Sequence, residues 1–408
     1  MYILGISGLY HDSAAALIQD GEVIAAAQEE RFTKNKHDMR IPVNAIHYCM
    51  EEAGITAEEL ECVVYYDNPK LTLDRYLHNV LALGKDSRLM LERGFLPLYE
   101  RRMWIHKLLE RTVGGLGRHG KLFVTEHHIS HAASAFYPSP FEKAVIMTID
   151  GVGEWATTTV GVGEGKHLQL KRQISYPHSI GLLYSAFTYF CGFKVNSGDY
   201  KFMGLAPYGE PVYYDVIKEK MIDIKEDGSF RLNLAYFDFQ NGRTMINEAR
   251  FSEIFGSGRR MPESRITKRE MDIAASVQKI VEENIIMMAR YAKDTFGQDI
   301  DSLVLAGGVA LNCVANGKLL NSGIFKNIWI QPAAGDAGGA LGAALYAYYN
   351  LCGQKRKVNF QDSMKGSYLG PGFSSHYIRQ YLDENNYPYH DMGRIFIQKL
   401  PKSWQMER

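Results

Sequence analysis

The pattern strand, glycine-bearing loop, strand, turn, strand occurs twice in this chain, near residues 2 to 27 and again near residues 145 to 175. The first copy reads Tyr2 to Ser7 as a buried strand, Gly8-Leu9-Tyr10-His11-Asp12-Ser13 as a loop, then Ala14 to Ile18, a Gln19-Asp20-Gly21 turn, and Glu22 to Ala27. The second reads Val145 to Ile149, Asp150-Gly151-Val152-Gly153-Glu154, Ala156 to Val162, a Gly163-Glu164-Gly165 turn, and His167 to Ser175. Loops of glycine and short polar groups can turn several backbone N–H groups toward one anion. Ser13 in the first loop, and Gly151 and Gly153 in the second, are therefore candidates for phosphate contact; an ordinary hairpin loop is the plainer alternative. A duplicated hairpin sets the expectation of an α/β chain in two similar halves, residues 1–175 and 176–350, with a linker and tail at 351–408.

EHHISHAASAFYPSP, residues 126 to 140, lies just ahead of the second copy. Its His127 and His131 stand at i and i+4, which on a helix puts both imidazoles on one face within reach of one ion. His128 points about a quarter-turn away. A helix is expected because Ala132, Ala133, Ser134 and Ala135 are compatible with it, Thr125 can cap its start and Pro138 ends it. Asp150 follows at a strand end. Asp336, in Gly335-Asp336-Ala337-Gly338-Gly339 after the strand Ile328 to Gln331, is a second strand-end carboxylate. Imidazole with carboxylate, and no thiolate nearby, suits Fe(II), Mn(II) or Zn(II) with positions left open to substrate. Paired histidines that only hydrogen-bond or face solvent are the competing reading.

EERFTKNKHD, residues 29 to 38, reads as a charged loop in which Arg31, Lys36 and His37 would suit an anionic ligand if turned inward. Pro42 to Ala53 has helical spacing and stops at Gly54, Thr56 and Glu59 form a capping box, and Val63 to Tyr66 is a strand ending at Asp67. Residues 70 to 112, with Leu71, Tyr76, Leu81, Leu89, Leu91, Leu96, Trp104 and Leu108 at helical spacing, read as a helical insertion that packs on the core or lids a substrate. Ile180 to Phe190 is a helix. Asn196 to Gly209 is a loop dense in glycine and polar groups, where Lys201 could pair with a phosphate, and Arg269 to Phe296 is a long amphipathic helix. The strand Leu303 to Ala306 leads to Gly307-Gly308, where missing side chains would let a nucleotide lie against the backbone, so bulk at Gly307 is expected to block it. Asn312 and Asn316, on a helix from Ala310 to Leu320, offer amides to ribose or base, and Gly335 completes the nucleotide-contact candidates.

With 408 residues, 46% of them hydrophobic, the chain can bury one large core or two domains. Its 46 basic residues balance 46 acidic ones, which argues against a nucleic-acid surface or a polybasic membrane contact. Cys49, Cys62, Cys191, Cys313 and Cys352 are scattered without a CxxC pair, as suits a reducing cytoplasm. No apolar run approaches ~20 residues and no basic segment precedes an apolar one at the N-terminus, so neither a membrane span nor a signal peptide is expected.

The paired hairpin loops resemble the phosphate loops of the actin, hexokinase and heat-shock ATPase superfamily, whose two RNase H-like halves face a nucleotide from opposite sides. More specifically, ILGISGLYHDSAAALI, EERFTKNKHD, EHHISHAASAFYPSPF, TIDGVGEWATTT, SGDYKFMGLAPYGE, LAGGVALNCVANGKL and QPAAGDAGGALGAAL, in this order, resemble the nodulation and antibiotic O-carbamoyltransferases from residue 1 to roughly 375. The resemblance implies a divalent metal, iron above all, held by His127, His131, Asp150 and Asp336. It also implies a carbamoyl-adenylate, or ATP, bound between the halves and a small hydroxylated acceptor. His11, Asp12 and His128 are candidates on residue type for the base that takes the acceptor's proton. Members of the family continue into a second domain that makes carbamoyl-adenylate. Here SYLGPGFSSHYIRQYLDENN resembles the linking segment and the chain stops at Arg408, so the expectation is a transfer domain served by a separate adenylate-forming partner, or else an inactive remnant. A small-molecule kinase of the same superfamily and a nucleotide-dependent regulatory protein are the rival readings, and a homodimer is left open.

Overall fold

Residues 1–117, 120–242 and 244–391 are described in the computed structural model of the chain; most of the expected tail, residues 392–408, lies outside them. The apolar runs at the start become β1 (Tyr2–Ser7), β2 (Ala14–Gln19) and β3 (Glu22–Gln28), joined later by β4 (Leu60–Tyr65) and β5 (Lys121–Val124). They form one five-stranded sheet in the order β3-β2-β1-β4-β5, antiparallel through β1–β2–β3 and parallel through β1–β4–β5. Central β1 and β4 are covered on both faces, as the apolar runs Ile3 to Ile6 and Cys62 to Tyr65 require.

The second sheet repeats the design. β6 (Lys143–Ile149), β7 (Ala156–Glu164), β8 (His167–Ser175), β11 (Ser302–Ala306) and β12 (Asn327–Ile330) stand in the order β12-β11-β6-β7-β8. Again the first three strands are antiparallel and the last two parallel. A small hairpin, β9 (Ile222–Ile224) with β10 (Phe230–Leu232), lies apart from both sheets. Two sheets of identical connectivity make this the duplicated RNase H-like fold of the actin, hexokinase and heat-shock ATPase superfamily.

The division between the sheets differs from expectation. β6, β7 and β8 belong to the second sheet, so the halves part between β5 and β6 rather than after residue 175. A hairpin repeat opens each half; taken as the close of the first, it shifts the boundary by three strands. One compact unit runs to Gly370, beyond the expected linker start at 351, and a second unit begins at Pro371. In that unit the helix Ser375–Glu384 is capped by Ser374, whose hydroxyl accepts from the Tyr377 N–H.

Three helices set the framework of the functional site. His127–Phe136 forms as the small residues predict, though Thr125 does not cap it: the Thr125 hydroxyl donates to the Glu126 carbonyl instead. Lys268–Phe296 buries Ile273, Val277, Ile280, Val281, Ile285 and Met288 and is opened by a Thr267/Glu270 capping box. Asp336–Tyr346 follows β12 yet packs on β1, β2 and β4 and on the His127–Phe136 helix. Glycines permit that approach. A Cβ at Gly342 would sit 1.8 Å from the Ser130 carbonyl oxygen, and one at Gly5 would sit 1.9 Å from that of Ala340.

Two segments differ locally from the sequence reading. Asp199–Leu205 is a helix inside the expected loop, its Phe202 and Leu205 one turn apart and buried. The insertion between β4 and β5 is helical, opening with Pro69–Leu83 and closing with Ile105–Val113, but none of its eight expected apolar contacts is fully buried. The inward face of Pro69–Leu83 is polar, with Thr72, Arg75 and Asn79 buried, while Leu81 is 79% exposed.

Candidate metal centre and its pocket

The helix His127–Phe136 brings the imidazoles of His127 and His131 to the C-terminal ends of the parallel strands, where Asp150 follows β6 and Asp336 opens the helix after β12. His127 Nε2 lies 3.0 Å from His131 Nε2 and 3.1 Å from Asp150 Oδ2. Asp336 Oδ1 is 3.7 Å from His127 Nε2 and 3.8 Å from His131 Nε2, and Asp150 Oδ2 is 3.9 Å from His131 Nε2. Two donors at bonds of about 2.1 Å to one ion can be at most about 4.2 Å apart, so all five separations fit a shared cation. All four residues are buried. Asp336 Oδ1 has no hydrogen-bond partner, an orphaned buried acceptor that a cation would satisfy.

The carboxylates are held in turn. Gly308 N–H donates to Asp150 Oδ1 at 2.8 Å, and the Tyr66 hydroxyl donates to Asp336 Oδ2 at 3.1 Å. Burial opposes charge on Asp150, but hydrogen bonds from His127 and His131 keep it well below the ordinary carboxylate range. Burial likewise opposes charge on His127, yet Asp336 and Asp150 outweigh it and lift its pKa to about 9. The same carboxylate field that favours a proton here favours a metal cation.

The three candidate bases part company. His11 Nδ1 lies 2.9 Å from Asp12 Oδ2, which leaves Nε2 facing the cluster, 3.8 Å from Asp336 Oδ2. Asp12 also takes His37 Nδ1 at 2.6 Å, so of Arg31, Lys36 and His37 it is His37 that turns inward. His128, 3% exposed, bonds Thr148 Oγ1 through Nδ1 at 2.6 Å and faces the second sheet. Burial and the neighbouring imidazoles hold His128 well below the ordinary histidine range.

Of the nucleotide candidates, Gly308 touches Asp150 and Gly153 lies against His127. At Gly151 and Gly335 a Cβ would meet only an ordinary contact, with Leu182 at 3.9 Å and Leu311 at 3.8 Å, so neither is glycine for lack of room. Gly307 is glycine for the chain's own sake: its φ is +91° and a Cβ would lie 2.3 Å from the Ile149 carbonyl oxygen, so bulk there disturbs the fold before any ligand. Asn312 caps the helix Cys313–Asn321 and bonds Gln278. Ser13 is buried with its hydroxyl unpartnered, Lys36 lies over the Tyr200 ring, and Lys201 lines a second pocket with Tyr189, Lys194 and Arg259. None of these three reaches the histidine cluster.

Several residues around the cluster carry no sequence signal beyond their place at strand ends. Tyr66 is one. Glu154 is another: its carboxylate accepts from the N–H groups of His127, at 2.9 Å, and Asn68, at 2.7 Å, thereby capping the ligand helix from the β6–β7 loop. We expect Glu154→Ala to cost about 2–3 kcal/mol, the loss of charge-assisted bonds to buried donors, read as a lower urea midpoint. A wild-type midpoint would show the helix end has another partner. Beside His127 opens a pocket of about 280 Å³ walled by the insertion, the 150–154 loop and residues near Phe239.

These features coincide with a known family. The family described as carbamoyltransferase N-terminus matches residues 2–345, and the chain belongs to it. An uncharacterised Synechocystis protein is 50% identical over 386 residues, covering 93% of this chain and 62% of its own length. Nodulation protein NolNO of Sinorhizobium fredii is 35% identical over 361 residues, 88% of this chain and 49% of its own. The chain thus spans about half to three-fifths of these relatives. Among solved structures, component A of the Acidaminococcus fermentans (R)-2-hydroxyglutaryl-CoA dehydratase is similar at TM-score 0.43 and 17% identity, over 86% of this chain and 99% of that one. T. kodakarensis HypF is similar at TM-score 0.42 and 12% identity, over 86% of this chain and 48% of that one. No helix among the described residues is long and apolar enough to cross a membrane.

Proposed function

We propose that this chain transfers a carbamoyl group from carbamoyl-adenylate to a hydroxyl of a small molecule. Family membership supports the reaction class, and the observation that carries the site is the converging set His127, His131, Asp150 and Asp336 with its orphaned Asp336 oxygen. These four would hold a divalent cation, Fe(II), Mn(II) or Zn(II) by donor type, which when bound supplies positive charge to an acyl phosphate. Asp12 orients the His11 ring so that Nε2 faces the cluster. Burial opposes charge on this ring, but Asp336 and Asp12 lift its pKa to about 9, so Nε2 is freed to act as a base when a cation takes up the Asp336 charge. The acceptor oxygen bonds to the carbamoyl carbon, the bond from that carbon to the phosphate oxygen breaks, and AMP departs with the electron pair. His11 Nε2 takes the hydroxyl proton. Tyr66 keeps Asp336 in place, and the glycine loops leave room for the adenylate.

The test supplies the chain with carbamoyl phosphate, ATP, an adenylate-forming domain from a relative and a set of hydroxylated acceptors. Carbamoylated acceptor with AMP release is the expected result, and His11→Asn should slow it by about 10²–10⁴-fold, the usual worth of a positioned base. Phosphorylated acceptor with ADP would make the chain a kinase. Failure of every acceptor, with the added domain shown to make carbamoyl-adenylate, would overturn the transfer reading.

A further inference from the structure

The pocket beside His127 has a wall that the metal cluster does not explain. The Pro69–Leu83 helix turns Arg75 inward at 7% exposure while its leucines Leu77 and Leu81 face solvent at 44% and 79%. A helix that packed only for stability would do the reverse. Arg75 donates its Nε–H to the Glu154 carbonyl and lies against the rings of Tyr76 and Tyr176, each centred 4.9 Å away. Among the described residues its terminal NH2 groups meet no acceptor, and they belong to a side chain lining the cavity. Arg93 and Arg102 line the same cavity, and among the described residues only Arg102 of the three arginines has a carboxylate, Asp67, against it. Two guanidiniums, Arg75 buried and Arg93 exposed, therefore line this pocket without a carboxylate partner among the described residues, Arg93 reaching only the Gly242 carbonyl at 3.4 Å.

We propose that this pocket seats the acceptor, and that Arg75 and Arg93 select one whose hydroxylated ring carries an anionic group: a carboxylate, sulfate or phosphate. The proposal rests on the transfer reading above and adds the acceptor's place and charge. A volume of about 280 Å³ takes one sugar-sized ring. Tyrosine faces cover its C–H surfaces, the guanidiniums hold its anion in paired charge-assisted bonds, and the end toward His127 receives the hydroxyl to be modified.

Binding is read without turnover, so it is independent of whether transfer succeeds. The full chain is titrated by ligand-observed NMR with glucose, glucosamine, glucuronate and glucose 6-sulfate, ligands of similar size and different charge. The two anions should bind at least about tenfold more tightly than glucose, the effect of one charge-assisted pair, with glucosamine weakest. Arg75→Gln should abolish most of that preference. Arg93→Gln, at an exposed position where folding is not at stake, should reduce it at least about threefold. Equal binding of glucose and glucuronate, or a preference that survives both substitutions, would overturn the proposal. So would inorganic sulfate binding as tightly as glucose 6-sulfate, which marks a bare anion site. Displacement of glucuronate by AMP would also do so, since it assigns the guanidiniums to the nucleotide's phosphates.

Discussion

His131→Ala is expected to yield a folded chain that has lost its bound metal and at least about 100-fold of its carbamoyl transfer, a larger effect than substitutions around metal ligands usually give. The fold should survive because alanine suits a helix already rich in alanine, and because the ring it replaces leaves its Nδ1 buried without a partner. The metal should not, because His131 supplies one of the four donors that converge at this site, and Asp150 and Asp336 would then share one imidazole. Metal content by mass spectrometry after reconstitution, alongside circular dichroism, decides between these. Undiminished metal in a folded variant would remove His131 from the site.

Gly342→Ala should be nearly as damaging although residue 342 is no ligand. Its Cβ would meet the Ser130 carbonyl oxygen at 1.8 Å, and backbone cannot swing aside as a side chain can. Overpacking usually costs about 1–3 kcal/mol, and a backbone obstacle places this case at about 3 kcal/mol or above. Relief requires the two helices to separate. One carries His127 and His131, the other opens with Asp336, so metal affinity should fall together with the denaturation midpoint. Gly317→Ala is the control, a helical glycine with nothing within 4 Å of its Cβ, and should stabilise by up to about 1 kcal/mol. Equal behaviour of the two variants would mean the helices do not touch as described.

The elements that the sequence disclosed are those whose signals are local. Strand runs, the i,i+4 histidines, the Gly54 stop and the Thr56/Glu59 box depend on neighbours a few residues away, and each stands in the structure. The candidate carboxylates Asp150 and Asp336 are legible because strand ends in α/β folds are where side chains converge. What escaped depends on distant partners. Glu154 caps a helix that begins 27 residues earlier, and Tyr66 bonds a carboxylate 270 residues later. The polar inward face of the insertion escaped for another reason: leucine spacing shows that a helix is amphipathic but not which side meets the protein, and here a polar pocket reverses the usual answer.

The helix Asp336–Tyr346 covers the face of a sheet whose last strand ends at Val124. During synthesis β1 to β5 therefore leave the ribosome long before their cover exists. At roughly 5–20 residues per second the interval is on the order of 10 to 40 seconds. Through that time Ile3 and its cross-strand partner Ile18, which share the Gly5 face and are fully buried in the finished protein, have no permanent cover. The first half is made early and completed late, so nascent chains ending before residue 336 should depend on chaperones, and the four residues of the candidate metal centre can come together only once nearly the whole compact unit has been made.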